Sequence, residues 1–194
     1  MQAAQLWHDW AMIQGCLDDE QLLQQQQTAA QTVVQWQHPP PGYLKCNVDA
    51  SFYDAAATTG WGWCLRDCRV RFILAGTNLM HTKLNTLEGE AMALKEALEE
   101  MMQKGLSYVI FESDSKVVVD AIHSRQVGLS EFSILISHIK SLLLLNNNFE
   151  VKFVKRQANM VAHSLARAAY SMSGRRLFES IPRCIDNYLI NEMH

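Results

Sequence analysis

The stretch Tyr43-Leu44-Lys45-Cys46-Asn47-Val48-Asp49 decides the fold of this chain, because its side chains alternate in character. Apolar Leu, Cys and Val hold the even positions, and polar Lys, Asn and Asp follow them at the odd positions. A period of two residues predicts a β-strand with two distinct faces. The strand begins after a firm break at residues 39–42, Pro-Pro-Pro-Gly. Because aspartate is depleted in strands, Asp49 is a candidate for a role other than packing.

Further strands and helices follow this stretch in an order typical of an α/β fold. Periodicity predicts strands at Gly60–Leu65, Val70–Leu74, 107–113 and Phe149–Val154, and helices at Leu84–Met102, Ser115–His123, 131–145 and Asn159–Tyr170. The order β-β-β-α-β-α-α-β-α predicts a five-stranded mixed sheet, an antiparallel meander followed by a βαβ arrangement, flanked by helices. Ligands gather at the carboxyl ends of strands in such sheets.

Composition divides the chain of 194 residues into three predicted parts. Residues 1–37 form a Gln-rich helical extension, residues 38–172 form the α/β domain, and residues 173–194 form a C-terminal tail. A domain of this length can bury a proper core. No apolar run approaches the roughly 20 residues of a membrane span, so we expect no membrane partner.

Charge and cysteine usage narrow the class of protein further. A net charge of -3 is unfavourable for binding nucleic acid mainly by neutralising phosphates. The five cysteines lack the spacing of zinc ligands, and we expect them to be reduced packing residues. The first residues lack the basic and apolar regions of a secretory signal. These features predict an intracellular protein, nuclear or cytoplasmic.

Three acidic residues, Asp49, Glu90 and Asp114, occupy positions in or next to predicted strands or at the edge of an apolar helix stripe, where burying a carboxylate costs free energy. Glu90 lies at the edge of the apolar stripe of its predicted helix, and Glu88, Glu96, Glu99 and Glu100 are predicted to point away from that stripe. Each of the three acids has an ordinary alternative: Asp49 facing solvent, Glu90 extended from the core margin into water, and Asp114 capping a helix. Carboxylates on two strands and the adjacent helix together indicate a Mg²⁺ site, because Mg²⁺ prefers hard oxygen ligands.

Five motifs in order carry a family resemblance. They are Pro39–Phe52, Gly60–Asp67, Glu88–Leu98, Glu112–Ser115 and Asn159–Ala166. With this order and spacing, the chain from about residue 38 to 170 resembles the ribonuclease H-like domain of the reverse-transcriptase-like group. This group is widespread in plants, both in non-LTR retroelements and as stand-alone proteins.

The resemblance implies a site in which Asp49, Glu90 and Asp114 bind two Mg²⁺ ions and the RNA strand of an RNA–DNA hybrid is hydrolysed. A fourth catalytic position, where typical active members have Asp, holds His163. A neutral imidazole is a poor ligand for Mg²⁺ and a better one for Mn²⁺. We therefore expect weakened activity in Mg²⁺ with relative rescue by Mn²⁺. His163 points away from the apolar stripe of its helix, towards either the cleft or solvent.

Nucleic-acid contacts are expected from Ser51 and Asn159 in the motifs and from the basic pair Lys155 and Arg156. Three functional classes stay open: a metal-dependent ribonuclease acting on hybrids, a catalytically degenerate domain that binds nucleic acid or a protein, and a different nuclease of the same broad fold. The sequence carries no signal for an oligomeric state.

Overall fold

The strand β1, Leu44–Tyr53, lies at the centre of the sheet. It pairs antiparallel with β2, Thr58–Asp67, and parallel with β4, Val109–Ser113. The computed structural model describes residues 35–126 and 128–192, so the predicted helical extension in residues 1–34 lies outside the described residues. The strand predicted from the alternating stretch is confirmed, but both of its faces are buried. The polar face is buried because a helix covers it.

Within the described residues, the sheet has six strands in the order β5-β4-β1-β2-β3-β6. The meander β1-β2-β3 is antiparallel, and β1, β4 and β5 are parallel, as predicted. The remaining elements are β3, Phe72–Met80; α1, Thr86–Gln103; α2, Lys116–His123; α3, Glu131–Leu145; β5, Phe149–Phe153; α4, Met160–Met172; β6, Arg176–Phe178; and α5, Asp186–Glu192. Short 3-10 turns lie at Asp54–Ala56 and Arg156–Ala158.

The helices cover the two faces of the sheet unequally. Side chains of α1, α2 and α3 share one large apolar cluster with Cys46 and Val48 of β1. On the other face, α4 and α5 pack against β2 and β3 through a smaller cluster that includes Val161, Leu165 and Ile185. No helix in the described part of the chain is long and apolar enough to cross a membrane.

A glycine lets α4 approach the sheet closely. A Cβ added at Gly62 would lie 2.5 Å from the backbone nitrogen of Ala166 and from Cβ of Leu165. No ordinary side chain fits in that space, because real Cβ atoms do not come so near to backbone atoms. Gly62 is also the residue of β2 that pairs with Asp49. The depth of α4 is therefore fixed beside the residue that the sequence singled out.

Three expectations about local structure are wrong. The sheet has six strands rather than five, because β6 after α4 pairs with β3 over three residues. Asp114 is not the N-cap of α2; Ser115 holds that position, and no side chain caps the helix. Glu100 does not point to solvent but is buried, because Arg175 pairs with it from the segment before β6.

The C-terminal segment contributes to the core. Ile185, the residue before α5, and Leu189 of α5 are buried, and Phe178 of β6 packs against the same cluster. The predicted boundaries at residues 37 and 172 stay predictions.

Candidate active site

Asp49 and Asp114 come together because β1 is longer than its neighbour. The last pair between β1 and β4 joins Val48 to Ser113. Asp49 and Asp114 are the residues that directly follow this pair, one on each chain segment. Beyond this point β1 continues to Tyr53 with no partner on that side among the described residues. The end of β4 thus opens a cleft whose floor is the free side of β1.

Glu90 reaches the same cleft from α1. A capping box begins this helix: the Asn85 side chain accepts from the Glu88 backbone, and the Glu88 carboxylate accepts from the Asn85 backbone. The box fixes the start of the helix and so places Glu90 in its second turn. One oxygen from each of Asp49, Glu90 and Asp114 lies within 4.8 Å of the other two. The predicted convergence of these carboxylates is present in the geometry.

The three carboxylates cannot all ionise easily without a cation. Burial, and then the neighbouring Asp114, raises the pKa of Asp49 to about 8. Burial, and then Asp49 and Asp114, raises the pKa of Glu90 to about 9. Both shifts have the cause expected of like charges crowded in a poorly hydrated site. Perturbed carboxylates in a cleft mark a candidate functional site.

His163 lies over this cluster, on the first turn of α4. Its Nδ1 is 2.8 Å from Oδ2 of Asp49. Of the two orientations that the sequence allowed, the structure has the one facing the cleft. Nη2 of Arg156 lies 3.1 and 3.2 Å from the two ring nitrogens, and Nη1 of the same residue is 3.6 Å from Asp114. Arg156 therefore bridges the histidine and the third acid.

These neighbours define the protonation of His163. Partial burial, followed by the charges of Arg156 and Arg167, lowers the pKa of its imidazole. A neutral ring has one donor and one acceptor. Nη2 of Arg156, which can only donate, lies close to both ring nitrogens, and Nδ1 also lies 2.8 Å from Oδ2 of Asp49. The histidine is thus a neutral hydrogen-bond partner of one acid of the cluster, and the donor in their contact is whichever of the two groups carries the proton.

Two buried carboxylate oxygens in the cleft, Oδ1 of Asp49 and Oε2 of Glu90, have no hydrogen-bond partner among the described residues. A buried acceptor left unpaired costs about 1–3 kcal/mol, and more when charged. A divalent cation would satisfy both oxygens and the excess negative charge at once. The donor set consists of carboxylate oxygens, which suits hard cations such as Mg²⁺ and Mn²⁺.

The other predicted site residues are distributed differently. Lys155 and Arg156 are exposed on the turn before α4, and Ser51 is partly exposed on β1 two residues beyond Asp49. Asn159 lies in the interior, with both groups of its side chain bonded to the protein. It therefore contributes to packing at the start of α4 rather than to the surface of the cleft.

Sequence reasoning missed the residues that hold Asn159 in place. Its partner Asn47 was assigned to a polar face of β1, and Trp36 to the end of a Gln-rich extension. Both are buried, and the indole of Trp36 donates to Asn47 at 2.8 Å. A tryptophan isolated in a polar stretch, three residues before Pro39, was the available signal.

The fold and this cluster define the class of protein: a ribonuclease H-like domain. RNase H1 of the halophilic archaeon Halobacterium salinarum superposes with a TM-score of 0.61 at 19% identity, covering 68% of this chain and all of that one. LC11-RNase H1, solved in complex with an RNA/DNA hybrid, gives 0.60 at 16% identity over 66% of this chain and 97% of its own. At such identities the likeness shows the fold.

Within that class, residues 47–169 match the family described as reverse transcriptase-like, and the chain belongs to this family. The segment contains Asp49, Glu90, Asp114 and His163. An Arabidopsis thaliana protein named "Putative ribonuclease H protein" is 24% identical over 164 residues. That match covers 84% of this chain but only 26% of the relative, so the chain spans about a quarter of its length. The resemblance inferred from the five motifs is confirmed.

Proposed function

We propose that this domain hydrolyses the RNA strand of RNA–DNA hybrids in a reaction that depends on divalent cations. The observation that carries the proposal is the convergence of three carboxylates on a cleft, two of them with an unpaired buried oxygen. LC11-RNase H1, which has a related fold, has been solved in complex with an RNA/DNA hybrid, and this supports the choice of substrate.

Asp49, Glu90 and Asp114 would hold the cations. When bound, a pair of divalent cations activates a water and stabilises the departing 3′ oxygen. The residues of the chain supply the rest. Asp49 and Glu90 form the buried part of the site, and Asp114 borders it with its side chain 10% exposed. This arrangement leaves one open side from which a phosphate can approach.

Arg156, Lys155 and Ser51 would bind the phosphates of the substrate. The Arg156 side chain is 58% exposed, so it can exchange its contact with Asp114 for a phosphate. Such contacts position a strand without identifying its bases. Selection of a hybrid would rest on groove shape and on 2′-hydroxyl contacts.

His163 stands in the fourth catalytic position and weakens the site for Mg²⁺. As a neutral ring it makes a hydrogen bond with Oδ2 of Asp49, and it adds no negative charge. An aspartate there would add a fourth carboxylate. His163→Asp should therefore raise cleavage in Mg²⁺ by about tenfold and narrow the advantage of Mn²⁺, by the preference of Mg²⁺ for oxygen ligands. If this variant gains nothing in Mg²⁺, His163 is not what limits activity.

The direct test of the proposal is Asp49→Asn, assayed on a labelled RNA–DNA hybrid. Loss of a ligand that stabilises the transition state should lower kcat by about 10³-fold. Asp120→Asn, an exposed aspartate of α2 paired with Lys116, is the matched control and should leave kcat unchanged. Substantial cleavage by Asp49→Asn would place the chemistry elsewhere.

A second candidate is a domain that binds nucleic acid without cutting it. It is favoured by the engagement of two acids with protein groups, Asp49 with His163 and Asp114 with Arg156. The double variant Asp49→Asn, Asp114→Asn separates the two functions when hybrid affinity is measured by fluorescence anisotropy. An enzyme loses cation binding and cleavage, whereas a binding domain keeps the wild-type affinity, and its wild type does not cleave.

A further inference from the structure

A second buried polar cluster lies beside the cleft, under the start of α4. We call it the polar anchor, and its members are Trp36, Lys45, Asn47, Arg66, Glu112 and Asn159. All six are buried. It contains none of the three carboxylates of the cleft, but its members Lys45 and Asn47 lie on β1, the strand that carries Asp49.

Trp36 fixes the orientation of Asn47. Its indole N–H donates to Oδ1 of Asn47 at 2.8 Å, and Nη2 of Arg66 donates to the same oxygen at 2.7 Å. The Arg66 guanidinium stacks on the indole, 3.7 Å from the ring centroid. With two donors on Oδ1, the carboxamide can turn in only one way. Its Nδ2 group must point in the opposite direction, towards α4.

Asn47 in turn fixes Asn159. Nδ2 of Asn47 donates to Oδ1 of Asn159 at 3.1 Å, and Nδ2 of Asn159 donates to the carbonyl of Val48 at 2.8 Å. Asn159 is the N-cap of α4, yet its side chain makes no capping bond. The side chain instead fastens the start of the helix to β1, at the residue before Asp49.

Asn159 connects the polar anchor to the site. Its carbonyl accepts from the backbone N–H of His163 at 3.0 Å, which is the first hydrogen bond of α4. One turn of helix thus joins Asn159 to the imidazole that lies 2.8 Å from Asp49. A small rotation of this turn would carry the imidazole away from the carboxylate, because side chains follow the helix that bears them.

We propose that Trp36 is a positioning residue for the site, which acts through Asn47 and Asn159 to set where α4 begins and so where His163 meets Asp49. The proposal rests on the proposed function of the cleft. Trp36 touches none of the acids. Its effect is to keep the first turn of α4 in a single register over β1.

Trp36→Phe tests this while preserving an aromatic ring to stack on Arg66. It removes the indole donor together with the smaller ring of the indole, as Trp61→Phe also does. Trp61→Phe is the matched control, because Trp61 is also buried and its indole donates to Glu96 at 2.9 Å, outside the polar anchor. Both variants lose one hydrogen bond of an indole, which costs about 1 kcal/mol of stability.

Amide hydrogen exchange at His163 is the first readout. Relative to the amide of Trp63 in β2, it should become about tenfold faster in Trp36→Phe and stay unchanged in Trp61→Phe, because only the former frees the first turn of α4. Equal changes in both variants would overturn the proposal and leave Trp36 a packing residue. This readout needs no catalysis, so it tests the positioning role even if the protein does not cleave hybrids.

Kinetics on a hybrid give the second readout. Trp36→Phe should lower kcat by about fivefold and leave KM within about twofold, because it disturbs the reacting groups and not the phosphate contacts. In an Asn159→Ala background the same substitution should have no further effect on kcat. A full additional loss in that background would mean that Trp36 acts by another route, and the proposal would fail.

Discussion

The polar anchor and the acid cluster are both buried, and the same face of β1 contributes residues to both. They differ in the balance between positive and negative charges. Lys45 and Asn47 belong to the anchor, and Asp49, two residues further, belongs to the cleft. In the anchor, Glu112 is 2.6 Å from Lys45, and the charge of Arg66 is also close by. In the cleft, three carboxylates lie together, and the half-exposed Arg156 is 3.6 Å from one of them, Asp114.

This difference separates a structural cluster from a functional one. Buried charge is tolerated where a partner compensates its desolvation. In the anchor, the positive charges of Lys45 and Arg66 compensate the negative charge of Glu112, so the anchor needs no ligand. Among the described residues, the cleft has surplus negative charge and unpaired oxygens, which a bound divalent cation would compensate. Substitutions that remove a negative charge should consequently have opposite effects on the stability of the two clusters.

Glu112→Gln should produce the largest effect. It leaves Lys45 buried without the carboxylate that lies 2.6 Å from it, and breaking such a buried pair costs about 3–5 kcal/mol. Urea unfolding measures the loss, and Glu150→Gln, on an exposed ion pair of β5, is the control with little expected change. If Glu112→Gln is neutral, the anchor is not balanced by that carboxylate and the contrast between the clusters fails.

Adding Mn²⁺ should stabilise the protein through the cleft. A ligand at about 100 times its Kd contributes about 2.7 kcal/mol to the free energy of unfolding. The gain should disappear in Asp49→Asn and persist in Glu112→Gln if that variant folds. Equal stabilisation of Asp49→Asn by Mn²⁺ would reveal a cation site away from the acid cluster.

Gly62→Ala should disturb both clusters together, because α4 contributes Asn159 to one and His163 to the other. The added Cβ forces α4 outward and should cost about 2 kcal/mol by overpacking, together with a fall in kcat. In Gly60→Ala the new Cβ meets Ala169 at 3.0 Å, far along α4 from His163. This control should lose stability with less change in kcat; the reverse result would separate the depth of α4 from the site.

Glu90→Gln should give the smallest effect, and one that depends on pH. Because the folded pKa of Glu90 is raised to about 9 from 4.5, folding without metal takes up a proton between these values. The stability of the metal-free wild type therefore falls as pH rises through that window. In EDTA the variant should be more stable than the wild type at pH 8, and the difference should shrink towards pH 5. A variant less stable at pH 8 would contradict the raised pKa.

The sequence predicted the long, periodic elements well. The alternation from Tyr43 to Asp49 and the apolar stripe of α1 are local patterns, and both elements formed where expected. Strand β6 was missed because three residues are too few to show a period of two. Glu100 was assigned to solvent because its burial depends on Arg175, which is 75 residues away in the chain.

The site was predicted only in part, because some of its residues stand out in a local pattern and others are recognised only through contacts distant in the chain. Asp49, Glu90 and Asp114 stand out locally because a carboxylate in a strand or on an apolar stripe is unusual. Asn47 and Lys45 do not stand out, since polar residues on alternate positions of a strand ordinarily face water. Only the tertiary structure brings α4 and Trp36 over that face. The bond from His163 to Asp49 likewise depends on the depth at which α4 packs.

Strand β6 is also one of the two edge strands of the sheet. Exposed strand edges present unpaired backbone groups that can pair with other chains. Here one outermost strand has three residues and begins at Arg176, and the other, β5, presents Glu150 and Lys152 outward. Short, charged margins of this kind resist self-association. A truncated domain ending at residue 172 would also expose the backbone of β3 at Ala75, Gly76 and Thr77, in the middle of a nine-residue strand, and would be prone to aggregate.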